Sequence, residues 1–292
     1  MSVVFIGYSR LVTTQYRQLR LEGIEKNLAF ETEKINKTIA AIERGAVALA
    51  RDGLLFVKSQ SMEIAEISVL EYLYSFPSVT GSGFWLEPYA FNESTHRAGI
   101  YAFYNKQGNE VHLDNAFFIG EYDYHDMQWY RRIIDNIELP YQVVWTMPYT
   151  DDTGSFSLMT SAGAGIFVEG ELIGISTIDW EIEGMIQELR AIRPTENSFI
   201  LVGDTVHDFI ITNTYPGFGT WTKLSQIPWD MEAHSFTYNG INFYTFSRAM
   251  DNGWILLINI PSREIFAETD VQNRSFFLGL LLLLFVMLCL MH

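Results

Sequence analysis

Residues 157–179 read SLMTSAGAGIFVEGELIGISTID, and the fold follows from how this stretch is read. Ser157–Val168 and Leu172–Asp179 have the composition of two strands, joined at Glu169-Gly170 by a turn. Upstream, Gln142–Thr146 reads as another strand, and Asp126–Ile137 as a short helix carrying Trp129, Tyr130, Ile133 and Ile134. Gly83–Pro88, Ala98–Tyr104 and Glu110–Leu113 complete the set, with a turn over residues 105–108 between the last two. Downstream, a helix at Trp180–Leu189 ends before a linker at Arg193-Pro194. A smaller copy of the scheme then recurs. Phe199–Val202 and Asp208–Thr212 flank a polar turn, and Ser235–Tyr238 and Ile241–Ser247 flank Asn239-Gly240, the strongest hairpin signal in the chain. Trp254–Ile260 reads as a buried strand, and Pro261 as the start of a helix.

In front of these two sheet-forming regions lies a long helical pattern over residues 10–60. Leu28, Ile35, Ile42, Leu49 and Phe56 recur every seven residues, widened by Ile39 and Ala46. Such a stripe suits packing on a domain, and sustained heptads also suit a parallel helix pair in a homodimer. Gly45 and Gly53 weaken the helix interior. The two ends of the chain look like pieces of membrane helices. Residues 276–291 run sixteen positions without a charge, and residues 1–8, MSVVFIGY, are mostly apolar. The expected layout is the truncated end of a membrane helix at 1–9, a stalk helix at 10–60, a membrane-distal module at 61–193 and a membrane-proximal module at 194–262. A connecting helix at 263–275 and a truncated membrane helix at 276–292 follow. The fold class is α+β: a long N-terminal helix, two PAS-like antiparallel-sheet modules, then a transmembrane helix.

Charge narrows the function. The net charge of the 292-residue chain is −16, from 19 basic and 35 acidic side chains. Residues 1–60 are net basic and the excess of acid lies beyond them, so the sheet region would repel a phosphate backbone and nucleic acid is excluded as a partner. The single cysteine, Cys289, excludes a disulfide framework and a multi-cysteine zinc site. No HxxxH, HxH or HExxH spacing occurs among the six histidines, so any metal site needs distant residues, and neither metal nor cofactor is expected. There is no GxSxG elbow and no phosphate-cradling glycine loop. Nothing in the sequence points to an enzyme.

Residues 122–179 carry a resemblance. Tyr122, then Trp129-Tyr130, then Trp145-Thr-Met-Pro-Tyr149-Thr-Asp151, then Gly174-Ile-Ser-Thr-Ile-Asp179 resemble the double Cache domain, the tandem PAS-like sensor of bacterial chemoreceptors, kinases and phosphatases. The resemblance implies an extracytoplasmic sensor held in the inner membrane, with a small-molecule ligand bound in the distal module by Tyr122, Trp129, Tyr130, Tyr149, Asp151 and Asp179. Asp126, Met127 and Trp145 are possible additions. Where the amino-acid-binding version of the motif has an Arg for the ligand carboxylate, this chain has Met127, which offers neither charge nor donor. The two aspartates and the aromatics can still hold an ammonium group. A cationic amine is therefore the expected ligand, with an amino-acid-like ligand behind it.

Each of these residues also has an ordinary structural use. Trp129, Tyr130, Tyr122 and Tyr149 can be packing aromatics. Asp151 can form the turn into residues 152–154, and Asp179 can cap the helix that follows it. The competing function is a structural or adhesion ectodomain that meets another protein through its acidic surface.

Overall fold

The computed structural model describes residues 2–76, 78–105, 110–114, 122–151, 154–190, 192–215, 222–230 and 234–267, plus isolated positions beyond; the side chains of residues 2–12 are not described. The chain falls into two compact units. One comprises residues 35–188, the other residues 1–34 together with 189–292. No described helix is long and apolar enough to cross a membrane. Of the expected helix at 263–275, residues 263–266 are turn and positions 267, 271 and 275 helical; the expected span at 276–292 lies largely outside the described residues, and of the segment 1–9 only the helical backbone from Ser2 is described.

Helix α1, Ser2–Ser59, is unbroken. In the 35–188 unit it is followed by α2, Met62–Ser75, which the sequence reading passed over; Ser61 caps it by accepting the Ile64 N–H at 3.4 Å. Then come β1 (Val79–Leu86), β2 (Ala98–Asn105), β3 (Glu110–Asp114), a 3₁₀ turn at Tyr124–Asp126, α3 (Gln128–Ile134), β4 (Val143–Trp145), β5 (Tyr149–Thr150), β6 (Leu158–Val168) and β7 (Glu171–Glu181). All pair antiparallel, in the order β3-β2-β1-β7-β6-β4, with β5 also on β6. The β6–β7 hairpin turns at Glu169 (φ 52°) and Gly170 (φ 91°), where the sequence put it. Strand β7 runs two residues past Asp179, because Met159 on β6 still pairs with Glu181. Asp179 is therefore a mid-sheet residue and not a helix cap. Helix α4, Ile182–Arg190, begins only after the strand ends.

The heptad stripe of α1 is consumed within the chain. Ile35, Ile39, Ile42, Ala46, Leu49 and Phe56 are all buried in the single protomer, so domain packing, the first of the two uses, takes the stripe. Gly45 and Gly53 are the points of closest approach. A Cβ at Gly45 would stand 2.8 Å from Ile178 Cδ1, and one at Gly53 2.6 Å from Ile166 Cδ1 and 2.9 Å from Phe84 Cδ1. What they cost the helix in propensity is offset by contact with β1, β6 and β7. Ser176 on β7 donates to the Ala46 carbonyl of α1 at 2.7 Å, and Ser82 on β1 to the Val69 carbonyl of α2 at 2.5 Å.

In the other unit β8 (Phe199–Asp204), β9 (Phe209–Asn213), β10 (Ser235–Tyr238), β11 (Ile241–Ala249) and β12 (Trp254–Pro261) form one antiparallel sheet, ordered β10-β11-β12-β8-β9. First and last strands are central neighbours here, β8 beside β12, as β1 is beside β7 in the larger sheet. Asn239 (φ 48°) and Gly240 (φ 75°) make the tight turn of the β10–β11 hairpin. Phe199, Leu201, Phe236, Phe243 and Leu257 form its core. The strand runs through Pro261 and turns follow to Phe266, so no helix starts at Pro261.

Candidate functional site

Alternation along the strands sorts the larger sheet into two faces. Ser176, Ile178, Ser82 and Phe84 point to the α1–α2 side, as their contacts with those helices require. The residues between them point to the other side. There Asp179 pairs with Gly81 on β1 and Ser161 on β6, Thr177 pairs with Gly83 and Gly163, and Tyr101 on β2 lies opposite Gly83. Side-chain-free positions on β1 and β6 thus border the polar residues of β7. A Cβ at Gly81 would collide with the Tyr101 hydroxyl and stand 2.7 Å from Asp179 Oδ2. Gly81 makes room for the bond between those two groups.

That bond is the centre of the site. Tyr101 Oη donates to Asp179 Oδ2 at 2.8 Å, while Asp179 Oδ1 is buried and receives no hydrogen bond. Asp179 is 2% exposed. Burial pushes its carboxyl up to about 6, the hydroxyls of Ser161 and Tyr101 pull it partway back, and the charge of Asp151 adds to the rise. Tyr101 and Tyr149 are held well above the usual phenol range by burial and by Asp179, so both stay protonated.

Around this carboxylate stand aromatic rings. Trp85 Nε1 donates to Thr177 Oγ1 at 2.9 Å, and Tyr149 Oη is 2.8 Å from Ser161 Oγ. Trp129 stacks on Tyr149 (centroids 6.3 Å apart, planes 14° apart) and meets Trp85 edge-on at 4.9 Å. Tyr122 Oη accepts from Trp129 Nε1 at 3.4 Å. Asp151 is buried and turns its carboxylate back on the chain, accepting from Gly154 N at 3.1 Å and from Ser155 Oγ at 2.9 Å. The turn-forming use and the position beside the site are both realised. These groups and Met159 line a cavity of about 20 Å³, with no Lys, Arg or His among its described lining residues. That is room for about one water, so a ligand must part the rings to enter.

Of the residues singled out in the sequence, Tyr122, Trp129, Tyr149, Asp151 and Asp179 come together at this cavity. Four do not line it. Tyr130 is fully buried behind it, its hydroxyl donating to Glu87 Oε1 at 2.5 Å. Trp145 lies on the opposite face, since it pairs with Ala162 and reaches Glu43 of α1 at 2.9 Å. Asp126 is exposed in the 3₁₀ turn. Met127 packs half-buried against the aromatic cluster at the start of α3. Sequence reading missed Trp85, Tyr101 and Thr177. A signal existed in Gly81-Ser-Gly83 and Gly163-Ala-Gly165, which strip one face of two strands of side chains, but only the register shows that both lie on the sheet face that carries Asp179 and Thr177.

Residues 67–187 match the family described as methyl-accepting chemotaxis protein-like, first PDC sensor domain. No curated protein matches the chain. Among solved structures it is similar to methyl-accepting chemotaxis protein X, at 15% identity and a TM-score of 0.62, with 85% of this chain and 99% of that one covered. The ligand-binding domain of the Pseudomonas fluorescens chemoreceptor CtaA, in complex with L-isoleucine, aligns at 11% identity and a TM-score of 0.57, over 87% and 98% of the two chains. That of the Campylobacter jejuni chemoreceptor Tlp3, in complex with L-norvaline, aligns at 12% and 0.56, over 85% and 93%. At these identities the likeness is one of fold.

Proposed function

We propose that this chain, whose residues 67–187 match a PDC-type sensor model and whose fold is similar to that of chemoreceptor domains, is the extracytoplasmic ligand-sensing region of a bacterial inner-membrane receptor, and that its ligand is a small cationic amine. One observation carries the choice of ligand: buried Asp179, whose Oδ1 has no hydrogen-bond partner among the described residues, lines an aromatic cavity with no basic side chain in its described lining. A buried carboxylate oxygen without a donor is costly, and an ammonium group supplies both donor and charge. The rings of Trp129, Tyr149, Tyr101 and Trp85 add cation–π attraction. An α-amino acid, the kind of ligand bound by the CtaA and Tlp3 domains, would bring a carboxylate that finds no cation among these lining residues.

Strand β7 supports a route for the signal. Its Thr177 and Asp179 face the cavity while Ser176 and Ile178, one residue away, touch α1. Parting the rings for a ligand loads the same strand that holds α1. A ligand shifts such an equilibrium only by its differential affinity for the two states, typically about 1–3 kcal/mol. On this reading the chain is the sensing region, and any enzymatic output belongs to another part of the receptor.

Calorimetry on the full chain with a polyamine, a monoamine and isoleucine tests the reading. Amine binding is expected at neutral pH, with Asp179→Asn losing on the order of 2–5 kcal/mol of affinity. Tight binding of isoleucine with no response to any amine would overturn the choice of ligand.

A further inference from the structure

A second constellation lies in the same unit but outside the amine cavity. His96, in the segment between β1 and β2, meets Asp123 and His125 of the 3₁₀ turn, their ligand-capable atoms all lying within 4.8 Å of one another. His125 is 7% exposed and its ring is fixed at both nitrogens. Nε2 lies 3.0 Å from the Leu86 carbonyl oxygen, which can only accept, so Nε2 carries a proton. Nδ1 lies 2.7 Å from Asp123 Oδ1, which in the ionised carboxylate also can only accept. At 2.7 Å the two atoms are joined by a proton, and a metal ion that displaced it would have to open the pair.

Three features favour the metal. A histidine that donates one nitrogen to a backbone carbonyl presents the lone pair of the other in a fixed direction, the arrangement that orients metal-bound histidines. Asp123 is independently positioned, its Oδ1 accepting the His125 backbone N–H at 3.1 Å. A proton bridge needs two groups, and here a third donor, His96, stands beside them. Its ring lies edge-on to that of His125 at 5.8 Å and is exposed, so it can turn. Tetrahedral zinc, bound at about 2.0–2.2 Å, wants its donors roughly 3.4 Å apart, so His96 must swing in by about 1–2 Å and the Asp123 carboxylate must draw back from His125 Nδ1 by about 0.7 Å.

We propose that His96, Asp123 and His125 bind one first-row divalent metal ion of the zinc type, with the fourth position open to water. Two imidazoles and a carboxylate suit Zn²⁺ and disfavour Mg²⁺ and Ca²⁺, which prefer all-oxygen shells. Because Asp123 directly follows Tyr122, a bound ion would also anchor the segment carrying one wall of the amine cavity.

The test is titration of the chelator-stripped full chain with ZnCl₂ against a chromogenic zinc chelator, at neutral pH. The expected result is one saturable site in the micromolar range or tighter, weakened at least about tenfold by His96→Ala and by Asp123→Asn. Excess MgCl₂ should not compete. His96 is exposed, so its alanine variant is expected to keep the fold, which circular dichroism checks even if a substitution at buried His125 does not. Absence of saturable zinc binding would overturn the proposal and leave the cluster as a proton-bridged ion pair. So would binding that persists unchanged in both variants, since it would then reside on other side chains.

Discussion

At the scale of single residues, Asp179 is a liability to the empty fold, and that gives it a signature. An aspartate in the unfolded chain ionises near 3.9, whereas in the fold Asp179 ionises at about 6. Between those values the folded chain holds the proton more tightly. Its contribution to stability is therefore fully present below about 3.9, is lost as pH rises through 6, and stays lost above. Asp179→Asn should accordingly raise the stability of the ligand-free protein at pH 7.5, by on the order of 1–3 kcal/mol, while weakening amine binding. Urea unfolding at pH 4 and pH 7.5 checks the first half, since the gain should appear mainly at the higher pH. In the wild type, amine affinity should weaken as pH falls through 6, because a protonated carboxyl repays no ammonium charge; a flat calorimetric profile from pH 5 to 8 would contradict this. Gly81→Ala should weaken amine binding by forcing Tyr101 away from Asp179, though alanine touches no ligand. Tyr122, Trp129, Tyr149, Asp151 and Asp179 were legible because the resemblance over residues 122–179 runs through them, whereas Trp85 lies outside that stretch. Tyr101 and Thr177 were not, since one more tyrosine or threonine in a strand has no sequence mark of the face it takes.

At the scale of elements, α3 and α1 are both set by glycines opposite them. Gly163 on β6 is where α3 presses in: a Cβ there would stand 2.5 Å from Ile133 Cγ2. Gly163→Ala should overpack this contact at a cost of about 1–3 kcal/mol and displace Trp129, which α3 carries, so that ligand affinity falls with stability. Chemical denaturation and calorimetry on the same variant read both effects. For α1 the question is which partner its heptad stripe serves. Since the stripe is already buried within one protomer, Ile42→Asp should unfold the 35–188 unit instead of dissociating a dimer. Sedimentation and circular dichroism of that variant separate the two outcomes, and a folded monomer derived from a wild-type dimer would restore the helix-pair reading. Periodicity identified the stripe from sequence; it could not say whether the apolar surface meeting it belongs to the same chain.

At the scale of the whole chain, two compact units each hold their own antiparallel sheet, with separate aromatic cores. Two cores of this kind need not melt together. Scanning calorimetry of the full chain is expected to show two overlapping transitions, and a saturating amine should raise only the one belonging to residues 35–188. At a hundred times its dissociation constant the stabilisation is about 2.7 kcal/mol. An equal upward shift of both transitions would place a second binding event in the other unit.

By itself the sequence determined the antiparallel strands and their hairpins, because strand composition and turn chemistry are local: Glu169-Gly170 and Asn239-Gly240 need positive φ, and those residues supply it cheaply. It also determined the long helix and the presence of conspicuous acids and aromatics around residues 122–179. Only the tertiary structure decided which face each strand turns to the cavity, since a shift of one residue in register exchanges the two faces and moves no letter in the sequence. That placed Trp145 against α1 and Tyr101 beside Asp179. It also made Gly45 and Gly53, weak points in an isolated helix, the places where α1 closes onto the sheet. And it brought His96 to His125 across 29 positions, an encounter that spacing rules cannot register because the chain between them is free to fold back only once the sheet exists.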